Sequence, residues 1–275
     1  MSQQPPIVAV LGAGNMAGAV AQAIAAGGTA AQVRLTTGGS EPGWADAFAH
    51  VTHRALAQDA DANREAVAGA DVVILGVKPH AIVELAREIA PALEPGVLVL
   101  SVAGGVTLET LTAALPAHAV VVRTMPNTPV AVGRGITAYA IAHGAPAEAD
   151  ARVQALLAPT GTVEPMPESL IDGFSAVVGS GPAYVYAVIE ALRAAAVDQG
   201  LSEDVAARLV PEMIAGSTAY LTATGREPGE LREEVTSPGG STAQALRVFE
   251  ERGLAEALRA GVAAATARAR ELGQA

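Results

Sequence analysis

The 275-residue chain contains no cysteine, one tryptophan, few aromatics (3%) and a single lysine, Lys78. Without cysteine there is no disulfide framework, no thiolate metal site and no sulfur nucleophile. Positive charge is scarce: 17 Lys and Arg stand against 28 Asp and Glu, a formal net charge of −11. No run of basic residues occurs, which excludes the usual electrostatic footprint of a nucleic-acid binder. The five histidines lie apart, without ligand spacing, so no metal site is expected. The stretch from Gly173 to Ile189 is uncharged enough to suggest a membrane span, but Gly179-Ser180-Gly181-Pro182 interrupts it, and no membrane association is expected. The opening residues, MSQQPP, lack the charged and apolar regions of a leader, so a cytoplasmic location is expected. What the chain has in abundance is apolar side chains: 51% hydrophobic against 16% charged. That excess predicts apolar surface buried between subunits.

The first half alternates short apolar runs with alanine-rich segments. Ile7–Leu11, Val72–Leu75, Val97–Leu100 and Ala119–Val122 do not alternate with polar residues. This fits parallel strands covered on both faces. Helical stretches near 16–29, 63–69, 79–90 and 107–115 supply the crossovers, giving an α/β fold with a Rossmann-type parallel sheet. Ile136–Ile141 and Gly161–Met166 add edge strands. From about residue 167 only helical periodicity remains: Val185, Val188, Ile189 and Leu192 share one face, as do Val205, Leu209 and Met213, and Leu254, Leu258 and Val262. Gly200 is read as closing one helix and Ser202 as capping the next. The expected division is a dinucleotide-binding domain over 1–165 and an all-helical domain over 166–275.

Directly after the first strand comes Gly12-Ala13-Gly14-Asn15-Met16-Ala17, a G-x-G-x-x-A pattern. Its glycines allow a tight turn and close approach of a pyrophosphate, and the helix that follows offers free N–H groups to the anion. Thr37-Gly38-Gly39-Ser40, after the second strand, holds no acidic residue for a ribose 2′-hydroxyl, which favours NADP; no Arg follows, and NAD remains the alternative. Arg34 lies within that strand with either direction open to it. Lys78-Pro79 ends another strand at the rim where such sheets bind ligands. In the second half, Thr236-Ser237-Pro238-Gly239-Gly240-Ser241-Thr242 combines two glycines with four hydroxyls ahead of a helix. This predicts a nest of N–H groups for a small carboxylate, with Ser241 and Gln244 forming a capping box and the helix starting at Thr242. Gly179-Ser180-Gly181-Pro182-Ala183-Tyr184 interrupts a long apolar helix, for which close helix packing is the expected reason.

These motifs occur in the order of a known family. GAGNMA at 12–17, VKPH at 77–80, MPNTP at 125–129, GSGPAY at 179–184 and VTSPGGSTAQALRVFE at 235–250 make the chain resemble pyrroline-5-carboxylate reductase, from Ile7 to about Leu272. The resemblance implies a Rossmann domain, a helical dimerisation and substrate-binding domain, and homodimers that in the family often assemble into decamers. It implies cofactor contacts at Leu11, Gly12, Ala13, Gly14, Asn15, Met16, Thr37, Ser40, Asn63, Gly76, Val77, Lys78, Pro79, Ala103 and Gly104. It further implies a substrate carboxylate held by Gly239, Gly240, Ser241 and Thr242, with Thr242 near the ring nitrogen as the catalytic group and the partner subunit completing the site. The reaction implied is reduction of L-1-pyrroline-5-carboxylate to L-proline, the last step of proline biosynthesis. Gly104 stands where Ala is commoner, Val178 where Ser is frequent, and Gly38-Gly39-Ser40 lacks the usual Ser or Arg. Another reductase of the same architecture, acting on a different imine or on a 3-hydroxy acid, is the rival reading; a hydroxy-acid dehydrogenase would place a catalytic lysine in the second domain, and residues 168–275 contain none. A cofactor sensor without turnover is the second rival, disfavoured by the presence of both glycine loops.

Overall fold

The computed structural model describes residues 4–274. Eight strands form one sheet: β1 (Ile7–Leu11), β2 (Gln32–Thr37), β3 (Val51–Ala55), β4 (Val72–Leu75), β5 (Leu98–Ser101), β6 (Val120–Pro126), β7 (Gly135–Ile141) and β8 (Gly161–Pro165). Their order is β3-β2-β1-β4-β5-β6-β7-β8, parallel throughout except for the antiparallel pair β6–β7. The crossovers are α1 (Asn15–Gly27), α2 (Ala62–Val67), α3 (Ile82–Ile89) and α4 (Leu108–Ala114), and α5 (Ala149–Leu157) links β7 to β8.

Alternation along each strand divides the core in two. Val8, Val10, Val33, Leu35, Ile74 and Leu100 face α1 and α5. Ala9, Leu11, Val73, Leu75 and Val99 face α2, α3 and α4. Both faces are covered, so the central strands carry no polar alternation. Two elements escaped the sequence reading. β3 is an edge strand whose Thr52 and Arg54 are exposed, and α5 is short and follows Pro146, so neither displays a long apolar run.

After β8 come α6 (Glu168–Phe174), a π-helical turn (Ser175–Gly179), α7 (Gly181–Asp198), α8 (Glu203–Thr224), α9 (Pro228–Glu234), α10 (Ser241–Glu251) and α11 (Leu254–Gln274). Two compact units result: one runs through Ser180 and takes in the chain from Ala265 on, and the other is Gly181–Ala264. Residue 165 is the end of the sheet, whereas the first unit continues through α6 and the π-turn. Ser202 caps α8, its hydroxyl accepting from Val205 N–H at 3.4 Å, and Gly200 adopts φ +93° beyond the end of α7. The Gly179–Pro182 segment does not break the helix. The helical run continues from Glu168 to Asp198, long and apolar enough by composition to cross a membrane. The π-turn ends at Gly179, Ser180 follows as a bend, and Gly181 and Pro182 open α7, where the missing N–H of the proline costs little.

The Gly181–Ala264 unit has almost no core of its own. Ala206 is its one buried apolar residue, while Tyr186, Met213, Tyr220, Phe249, Leu254 and Leu258 are each about half exposed. The apolar stripes read from the sequence are present and face outward.

Candidate active site

The turn after β1 is built by glycine where nothing else fits. Gly12 adopts φ +74°, and a Cβ there would lie 2.6 Å from Val77 Cγ1. Its N–H and that of Ala13 donate to Thr36 O, at 3.1 and 2.8 Å, tying the turn to the end of β2. Gly14 is the N-cap of α1 and brings no side-chain cap to it. The first hydrogen bond of this helix runs from Gly18 N–H to Gly14 O, so the amides of Asn15, Met16 and Ala17 precede it at an uncapped, electropositive end. A Cβ on Gly14 would meet nothing nearer than Gly12 O at 3.9 Å, so its outer face is open to a ligand. Gly76 is the opposite case. A Cβ there would run into Ala17 and lie 2.6 Å from Gly12 O, which is how closely α1 packs on the end of β4.

Thr36 is a residue the sequence reading missed. Its buried hydroxyl donates to Asn63 Oδ1 at 2.7 Å and accepts from Gly12 N–H at 3.3 Å, linking the glycine turn to α2. Asn63 is thereby brought to the mouth of the turn. Thr37 donates to Ser40 O at 2.9 Å and also meets His53 Nε2 at 2.8 Å. The direction of Arg34 is settled: it donates to Ala66 O and Ala68 O, at 3.2 and 2.7 Å, complementing the carboxyl end of α2 rather than the β2 rim.

At the carboxyl ends of β4 to β6 a cleft of about 230 Å³ opens, lined by Pro79, Gly104, Gly105, Met125 and Ser175. Lys78 is exposed beside it, and Ala103 is buried, its N–H donating to Ser101 Oγ at 3.3 Å. Buried Arg123 lies at the same cleft, paired with Glu168 and Asp172 at 3.2 and 2.5 Å. No local pattern marks this cluster, since Glu168 and Asp172 lie 45 and 49 residues from Arg123. Among the described residues no group of His, Asp and Glu is arranged to hold a metal.

The second glycine loop lies in the helical unit. Gly239 adopts φ +72°, and Gly240 N–H closes a turn on Ser237 O at 3.0 Å. The expected capping box does not form. Gly240, with extended backbone, is the N-cap, so α10 starts at Ser241 rather than Thr242, and no side chain caps it. The motif is displaced by one residue because Ser241 already holds helical geometry. The first hydrogen bond of the helix runs from Gln244 N–H to Gly240 O, which leaves Ser241, Thr242 and Ala243 in the uncapped first turn.

Two family models match the chain: NADP oxidoreductase, coenzyme F420-dependent, over residues 7–105, and pyrroline-5-carboxylate reductase dimerisation over 168–272. Curated relatives match nearly end to end. The pyrroline-5-carboxylate reductase of Pseudomonas aeruginosa is 37% identical, covering 98% of this chain and 97% of its own. Pyrroline-5-carboxylate reductase 3 of Danio rerio is 35% identical over 97% and 91%. The chain belongs to the pyrroline-5-carboxylate reductase family. Among solved structures of such reductases, that of Coxiella burnetii superposes with a TM-score of 0.85 at 32% identity, covering 98% and 99% of the two chains. That of Plasmodium falciparum, solved with NADP bound, gives 0.87 at 26%, covering 99% and 100%.

The residues present fit the dinucleotide this family employs. An uncapped 13-residue helix, an open face at Gly14 and close packing at Gly76 form a cradle for a pyrophosphate. Of the departures from the family pattern, Gly104 is sterically harmless: a Cβ there would come no closer than 4.0 Å to Met125 Sδ. Val178 contributes its carbonyl, which accepts from Asn127 Nδ2 at 3.2 Å.

Proposed function

We propose that this protein reduces L-1-pyrroline-5-carboxylate to L-proline, with NADPH as the hydride donor and NADH as the alternative, in the last step of proline biosynthesis. The observation that carries the reading is the near full-length match to reductases of that name in a chain that also keeps the SPGGST loop. NADP is favoured because the β2 rim has no acidic residue for a 2′-hydroxyl, and the relative from Plasmodium falciparum was solved with NADP bound. Residues 1–165 form the dinucleotide-binding domain, with Leu11, Gly12, Ala13, Gly14, Asn15, Met16, Thr37, Ser40, Asn63, Gly76, Val77, Lys78, Pro79, Ala103 and Gly104 as the cofactor contacts. Residues 166–275 form the dimerisation and substrate-binding domain. Its Gly239, Gly240, Ser241 and Thr242 hold the substrate carboxylate.

The cofactor supplies the hydride that reaches C5 of the cyclic imine. The chain has the remaining tasks. The amides at the start of α10 fix the carboxylate end of the imine. The Thr242 hydroxyl hydrogen-bonds the ring nitrogen, which in its protonated form already carries the electrophilic charge. No stronger acid is then required, and the rate rests on holding two reactants at near-attack distance. A homodimer, able to assemble further into a decamer, supplies the surface that the helical unit lacks, and the enzyme works in the cytoplasm. Incubation with NADPH and pyrroline-5-carboxylate, followed by chromatography of the product, tests the reaction. Proline formed in step with NADPH consumed is expected. Consumption without proline would refute the substrate.

A further inference from the structure

β6 presents Arg123 and Met125 at alternate positions, hence on one face of the strand, and Asn127 follows directly after its end. All three engage α6 and the π-turn after it. The Arg123 side chain, 5% exposed, donates to Glu168 Oε1 at 3.2 Å and to Asp172 Oδ1 at 2.5 Å. Asn127, also buried, donates to Val178 O at 3.2 Å and accepts from Ile136 N–H at 2.8 Å. Between them the Met125 Cε lies where a Cβ on Gly179 would come within 3.1 Å. A π-turn leaves backbone carbonyls out of the regular ladder, and such turns recur at functional sites. Here Val178 O is taken by the Asn127 side chain, just beyond the end of β6. Glu168 reaches further: Oε1 also accepts from Leu108 N–H at 2.7 Å, at the start of α4, directly after the Gly104–Gly105 loop. One guanidinium and one carboxylate therefore tie together both walls of the cleft, the Gly104–Gly105 loop on one side and Asp172 with Ser175 on the other.

We propose that Arg123, through Glu168 and Asp172, is a positioning residue for hydride transfer. It fixes the separation of the two cleft walls and so the geometry in which cofactor and imine meet. The inference rests on the reductase reading above. Only an arginine spans both carboxylates from one side chain, because its planar fork directs two N–H donors at once, whereas a lysine is a point charge. A loss of geometry is felt in the chemical step, where a displacement of about 1 Å can cost roughly 100-fold.

The test is Arg123→Lys, with Glu168→Gln as the second variant should the first not fold. Both are assayed well below their melting temperatures. Arg123→Lys should lower kcat by roughly 10- to 100-fold. The isotope effect on kcat/KM, measured with NADPH deuterated at the transferred C4 position, should rise as hydride transfer becomes limiting. The calorimetric Kd for NADP⁺, which needs no turnover, should stay within about threefold of the parent, because the pyrophosphate cradle is untouched. A lower melting temperature with kcat, isotope effect and Kd unchanged would reduce the cluster to a structural brace and overturn the proposal. So would a Kd that weakens in step with kcat/KM at constant isotope effect. An unmutated protein without activity on the imine would instead refute the parent reading and take this inference with it; active parent with unaltered variants refutes this inference alone.

Discussion

Gly76 has no room for a side chain, because Ala17 of α1 and Gly12 O occupy the position its Cβ would take. Gly76→Ala should destabilise the protein by about 1–3 kcal/mol, the usual cost of overpacking, and weaken NADP⁺ binding. Urea unfolding and calorimetric titration measure the two effects. Gly104 is the contrasting residue: its backbone is not left-handed and its surroundings are open. Gly104→Ala should raise stability by about 0.4–1 kcal/mol by restricting the unfolded chain, with kcat/KM close to the parent value. The hydrogen bond proposed between Thr242 and the charged ring nitrogen would be worth about 1.5–3 kcal/mol, so Thr242→Ala should lower kcat/KM by roughly 10- to 100-fold. Unchanged kinetics would remove Thr242 from the mechanism. Tyr139 is buried on β7, donating to Asp150 and accepting from Gln154 Nε2 at 2.8 Å. Burial, then the hydrogen bond to Asp150, pushes its phenol up to about 12. The folded protein therefore keeps a proton that the unfolded chain releases near its ordinary value of about 10. Stability from this group is complete below about pH 10 and lost as pH rises toward 12, by up to roughly 2–3 kcal/mol. Unfolding titrations across that window should show the fall, and Tyr139→Phe should flatten it.

At the scale of elements, what was legible in the sequence follows from how many faces of an element are buried. β1, β4 and β5 are covered on both sides, so they appear as unbroken apolar runs. β3 has one neighbour and two exposed polar side chains, and it left no such trace. The glycine turn was readable because its residues are contiguous and each has a steric reason to be there. The Arg123 cluster was not, because it depends on β6 and α6 meeting in space, and nothing local marks an arginine as buried. The SPGGST loop lies between. Its glycines and hydroxyls were visible, but the exact start of α10 turned on whether Ser241 caps or enters the helix. The long run from Glu168 to Asp198 shows the same limit. A Gly-Ser-Gly-Pro sequence reads as a break, yet a single π-turn carries the helix through it, with Asn127 meeting the carbonyl of Val178.

At the scale of the whole molecule, the helical stretch leaves its apolar face outward, and it matches a dimerisation family model. An apolar excess that no single chain buries is the expected mark of an obligate interface. Met213, half exposed on α8, lies on that face. Met213→Glu would bury an unpaired charge in the dimer, at a cost of roughly 3 kcal/mol or more. Light scattering should show a shift to smaller species with a lower melting temperature, and an unchanged mass would place the interface elsewhere. Steady-state oxidation of NADPH by the purified protein with pyrroline-5-carboxylate, run beside NADH, decides whether the chain carries out this reaction. Turnover with the imine, faster with NADPH, is the result expected. Binding of NADPH without turnover of the imine by either cofactor would contradict the assignment.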